Sequence, residues 1–68
     1  MYSHEQIRDF IQSTPPELKG QSFEPFTKQP HIFLGRKKDH FMNTIMTIYL
    51  IGYNDQDYKV VVANGKIL

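Results

Sequence analysis

Between Phe41 and Tyr53 the chain reads FMNTIMTIYLIGY, and its apolar positions occupy both phases of a β-strand. One phase holds Met42, Met46, Ile48 and Leu50. The other holds Phe41, Ile45, Tyr49, Ile51 and Tyr53. A strand with one face in water alternates apolar with polar residues, so this one calls for cover on both sides. Its Ile, Thr and Tyr content favours strand over the alternative, a buried helix from Phe41 to Leu50.

The flanking patterns supply the cover. Ser3 opens a helix over residues 3–13, with Gln6 three positions on to complete a capping box. Ile7, Phe10 and Ile11 then form one apolar stripe, while Arg8, Asp9 and Gln12 face water. Pro15 ends that helix, because it pushes Thr14 toward extended geometry. A second T-x-x-E pattern, Thr14-Pro15-Pro16-Glu17, predicts a single helical turn over 15–19 with Leu18 inward and Gly20 as the stop. Residues 21–30 read as an extended arm, since Pro25 and Pro30 oppose regular structure. Phe23 and Phe26 pin it to the core, each worth about 1.5–3 kcal/mol if fully buried.

From His31 onward the chain reads as an antiparallel sheet. The first strand is His31–Lys37, with Ile32 and Leu34 on one face, Phe33 on the other and Gly35 at a bulge or bend. A turn at Asp39-His40 leads into the long strand. Asn54-Asp55-Gln56-Asp57 forms the next turn, and Tyr58–Ala63 the third strand. Asn64-Gly65 is a two-residue hairpin signal, leaving Lys66–Leu68 to pair back. The fold class that follows is α+β: an N-terminal helix packed on a three- to four-stranded antiparallel β-meander, in one small domain over residues 1–68.

A chain of 68 residues buries only about 60% of the surface its unfolded form exposes, so its stability is marginal. The absence of cysteine removes disulfides, thiolate nucleophiles and cysteine-ligated zinc as remedies and fits a cytoplasmic setting. Size alone suits a phage or mobile-element protein. The N-terminus carries charge where a secretory signal has an apolar region. No apolar run reaches the roughly 20 residues that span a bilayer, so no membrane role is expected. The net charge of +1 gives no whole-molecule field for nucleic acid.

Candidate chemistry is sparse, and no catalytic set, cofactor or metal site is expected. Arg36-Lys37-Lys38 is the one basic cluster. It reads first as a solvated strand end and, alternatively, as a phosphate-binding patch beside stacking rings of Phe33, Tyr49 or Tyr53. His4, His31 and His40 match no metal-ligand spacing, although His31 and His40 flank one strand. The acidic run Asn54–Asp57 lacks the glycine and bidentate glutamate of a calcium loop. No nucleophile elbow, P-loop or dinucleotide fingerprint occurs.

The apolar surplus remains, and two arrangements satisfy it. Either the helix covers one sheet face and the Phe23/Phe26 arm the other, or part of a face or an edge is left for another chain. The second arrangement makes the protein a non-enzymatic protein-binding module — a regulator, inhibitor or subunit. Its expected contacts are Phe23, Phe26, Phe33, Tyr49, Ile51 and Tyr53. The partner is another protein or a second copy of the chain. The alternative is a nucleic-acid-binding module using Arg36, Lys37 and Lys38.

Overall fold

The computed structural model describes residues 1–41 and 43–68. Helix α1 spans His4–Ser13, with Ser3 as its N-cap. The Gln6 amide donates to the Ser3 hydroxyl at 3.1 Å, and the Ser3 amide donates to the Gln6 side-chain carbonyl at 2.8 Å. Two otherwise orphaned donors are thus satisfied reciprocally. Thr14 adopts extended geometry ahead of Pro15 and ends the helix.

A 3-10 turn at Pro16–Leu18 buries Leu18. Its expected threonine cap does not form. The Thr14 hydroxyl donates instead back to the Phe10 carbonyl at 2.8 Å, an i−4 bond that serves α1 rather than the turn. Residues 21–30 are not the extended arm that the sequence suggested. Glu24–Thr27 forms one helical turn, α2, whose amide at Glu24 meets the Ser22 hydroxyl at 3.2 Å. Pro25 is tolerated there because a helix's first amides need no helical acceptor.

The sheet is antiparallel and four-stranded, in the order β1-β2-β3-β4. Its strands are β1 His31–Asp39, β2 Thr44–Tyr53, β3 Gln56–Ala63 and β4 Lys66–Ile67. The long strand begins later than its composition implied. Phe41 lies before β2, fully exposed, and its amide donates to the Asp39 carboxylate at 3.0 Å in a side-chain-closed turn. Met42, assigned from the sequence to the Met46 face, lies outside the described residues. The β2–β3 turn is tighter than expected. Tyr53 pairs with Gln56, so only Asn54 and Asp55 turn, at φ 52° and 65°. Asn and Asp tolerate the positive φ that a type I′ hairpin imposes at both positions. The β3–β4 turn at Asn64-Gly65 has the same character, at φ 54° and 79°.

Both faces of the central strands are buried. On one face, Met46, Ile48 and Val61 pack with Ile7, and Tyr2, Phe10, Ile11 and Leu34 close around them. On the other, Ile51, Val60, Val62 and Ile67 pack with Leu18 and Phe23, flanked by Phe26, Tyr49, Tyr53 and Tyr58. The run Val60-Val61-Val62 is therefore buried residue by residue. Helix α1 forms one layer, and the segment from Leu18 to Phe26 forms the other. The chain thus shelters its own middle ribbon. Among the described residues no helix is long and apolar enough to cross a membrane.

Candidate protein-binding edge

The two edges of the sheet differ. At β4 the segment Gly20–Phe23 runs alongside as a further line of hydrogen bonds. The Gly20 amide donates to the Ile67 carbonyl at 2.6 Å, the Ile67 amide to the Gln21 carbonyl at 2.9 Å and the Phe23 amide to the Gly65 carbonyl at 2.8 Å. Ser22 and Lys66 form an antiparallel bridge. That edge is closed. At the opposite side, among the described residues β1 pairs with β2 alone, so the N–H and C=O groups of alternate residues along its outer side have no strand partner.

A bulge shapes this open edge. Phe33 pairs with Tyr49 and Gly35 with Ile48, so Leu34 is the extra residue. The bulge shifts side-chain phase along β1. His31, Phe33, Arg36 and Lys38 share the face that β2 lines with Ile51, Tyr49, Thr47 and Ile45. Ile32, Leu34 and Lys37 look toward the α1 side, where Leu34 joins the core and the Lys37 ammonium donates to the Tyr2 carbonyl at 3.2 Å.

Neither covering layer reaches β1 fully. Ile32 is 56% exposed on the helix side and Phe33 is 53% exposed on the aromatic side, while Ile45, opposite Lys38 further along that face, is 57% exposed. An open groove of about 520 Å³ lies between the α2 turn and the Arg36 and Ile45 side chains, and Ile32 and Phe33 stand outside it. Phe23, Glu24 and Thr27 form one wall, Arg36 and Ile45 the other, and Thr47, Tyr49 and Val62 the floor.

The structure sorts the residues expected at a contact surface. Phe23 and Ile51 are 5% and 2% exposed, so both are core and neither is available on the surface. The Phe23 ring stacks on Tyr49 with centroids 4.4 Å apart and on Phe26 at 5.8 Å. Tyr49 and Phe26 are consequently half-buried partners of that staple. Tyr53 sits far along β2, half-buried, where its hydroxyl donates to the Glu17 carboxylate at 3.2 Å. Partial burial first, and the hydrogen bond to Glu17 second, hold its phenol above the ordinary tyrosine value. Of the six, Phe33 alone is an exposed apolar side chain. It meets Tyr49 edge-on at 6.1 Å and carries the Arg36 guanidinium 5.5 Å above its ring.

Strand alternation divides the basic run. Arg36 and Lys38 are exposed on the aromatic face, whereas Lys37 is half-buried on the other. One face of Tyr49 is already occupied by Phe23, leaving Phe33 as the ring beside Arg36. His31 and His40 stand at and just beyond opposite ends of β1, about 30 Å apart along an extended strand. They do not come together. Among the described residues no group of three His, Asp or Glu side chains is placed to hold a metal ion.

Ile32 and Ile45 were not expected at the surface. Ile45 shares its strand phase with Tyr49 and Ile51, and only the short reach of the α2 layer separates their fates. No family model matches the chain, and no curated protein or solved structure resembles it significantly.

Proposed function

We propose that this protein is a non-enzymatic, cytoplasmic protein-binding module that engages its partner at the β1 edge. The contrast between the two sheet edges carries the reading. One edge is hydrogen-bonded along its length by the chain's own Gly20–Phe23 segment, while the other is a nine-residue strand with an open side and exposed Ile32 and Phe33. Such an edge accepts an extended segment by strand addition, in which main-chain bonds give affinity and flanking side chains give selectivity. Large apolar side chains on both faces of the same edge strand add desolvation energy on either side of the incoming strand.

The relevant contacts are then Ile32, Phe33 and Ile45, with the exposed Arg36 over the Phe33 ring and Tyr49 beneath it. This set is narrower than the sequence alone suggested, because Phe23 and Ile51 are spent on the core. The nucleic-acid reading draws less support, since the basic run is divided between two faces and one ring stands free beside it.

The test is site-specific photocrosslinking in an extract of the source cells, with a benzophenone side chain at position 33 or at position 66. Crosslinks from position 33 that vanish in the Ile32→Lys variant support an edge-docked partner. Equal crosslinking from the closed edge at position 66, or capture indifferent to Ile32→Lys, overturns it.

A further inference from the structure

The charge pattern of β1 bears on what kind of strand its edge would receive. We infer that the β1 edge receives an extended acidic segment of another protein, whose carboxylates meet Arg36 and Lys38. This inference rests on the proposed edge docking and names its partner.

The strand has two halves. After His31, Ile32–Leu34 is apolar, and Gly35–Asp39 carries three cations ahead of one carboxylate. Arg36 and Lys38 point to the same face and are both exposed, so they stand like two teeth beside the open main-chain groups. Lys37 is engaged elsewhere, with the Tyr2 carbonyl. Lysines on an edge strand normally deter pairing, because an incoming neutral or basic strand gains nothing from them or is repelled. An acidic strand turns the same groups into cross-strand ion pairs, the arrangement that sheets favour between directly opposed side chains. Selectivity then comes partly from repulsion of the wrong partner. Arg36 is further prepared by the Phe33 ring beneath its guanidinium, which orients the planar fork without neutralising it.

A second copy of the chain answers this pattern poorly. In an antiparallel pairing of β1 with itself, Asp39 comes opposite a cation only when the strands overlap by their last four residues or fewer. With the full four-residue overlap, Lys37 meets Lys38 of the other strand. In all of these registers Ile32 and Phe33 fall outside the pairing. Longer registers set the cations against the apolar half or against each other. Glu24 on the far wall of the groove is the carboxylate nearest in character to a competitor, but it belongs to the α2 side. It narrows the partner's acidic residues to those running along β1 itself.

The experiment uses isotope-labelled full-length protein and two short blocked peptides, one alternating valine with glutamate and the other valine with lysine. Amide resonances and hydrogen exchange along β1 report docking. The expected result is binding of the glutamate peptide, with shifts and new protection confined to β1. Raising ionic strength from about 0.05 M to about 0.5 M should weaken it severalfold. In the double variant Arg36→Glu/Lys38→Glu the preference inverts: the glutamate peptide loses about tenfold or more and the lysine peptide gains. Both side chains are exposed, and an unchanged spectrum away from β1 verifies that the variant is folded.

Equal binding of both peptides at β1 overturns the acidic partner while leaving edge docking intact. Binding of neither overturns this inference, and the crosslinking contrast between positions 33 and 66 then judges edge docking separately. Binding of single-stranded oligothymidylate through Arg36 and Lys38, with the glutamate peptide ignored, overturns it in favour of nucleic acid. A concentration-dependent dimer with β1 amides protected in the absence of peptide overturns it in favour of self-pairing.

Discussion

The β4 edge and the β1 edge belong to one sheet and meet opposite ends. At β4 a strand of two residues, together with Gly65 before it, is held on its outer side by three main-chain hydrogen bonds with Gly20–Phe23. The same segment delivers Phe23 into the core, so closing the edge and covering the face are one event. At β1 a strand of nine residues has no such neighbour among the described residues, and its protection is local: Pro30 just before it, a bulge at Leu34 and cations after Gly35. The difference shows how a short chain divides its resources. The residues that close one edge are those that cover one face, and among the described residues none closes the other.

The sharpest way to break the contrast is Phe23→Ala. It removes the ring that stacks on Tyr49 and Phe26 and loosens the segment that closes β4. A loss of about 3–5 kcal/mol is expected, enough to unfold a domain of marginal stability. Urea denaturation followed by circular dichroism measures it, and a loss below about 1 kcal/mol would show that the closed edge does not depend on its staple. Gly65→Ala comes next. Position 65 sits at φ 79° with open space around a would-be Cβ, so the cost is backbone strain alone, about 1 kcal/mol. The same denaturation assay should show it, with faster hydrogen exchange of the Ile67 amide.

Tyr53→Phe probes the seam between the 3-10 turn and β2. A phenol whose value is raised in the folded protein favours the neutral form there. The stabilisation is therefore complete below the unfolded tyrosine value near 10.0 and is lost as pH rises through the folded value. The wild-type protein should lose stability in that alkaline range more steeply than Tyr53→Phe, and parallel curves would remove the Glu17 contact from the account. The smallest effect belongs to the open edge. Phe33→Ser and Ile32→Ser should change stability by no more than about 0.5 kcal/mol, because both side chains are half or more exposed. If the proposed edge docking holds, their consequence is instead a loss of partner capture, read by the same crosslinking. A large destabilisation by either would mean that β1 is part of the core after all.

Several elements were legible along the chain because their causes are local. Ser3 and Gln6 form the reciprocal cap that their spacing predicts. Pro15 ends α1, and Asn64-Gly65 turns with both φ values positive. Gly35 marks the bulge that re-phases β1. Two further details were decided by causes that are also local but weaker. Asn54-Asp55 turns alone because Asp, like Gly, accepts a left-handed conformation at modest cost. The Thr14 hydroxyl had two possible backbone partners and took the one behind it.

The sequence by itself determined the α+β meander, through alternating periods, caps and turn residues, and it required both faces of the middle strand to be covered. Only the tertiary structure decided who covers them. Ile45, Tyr49 and Ile51 are equivalent in strand phase, yet one is exposed, one half-buried and one buried. Their fates depend on how far the Leu18–Phe26 layer extends across the sheet, a matter of packing geometry between residues remote in sequence. The same remoteness governs the edges: hydrogen bonds from Gly20–Phe23 to Gly65–Ile67 join segments that no local pattern relates, and they leave β1 as the side that faces outward.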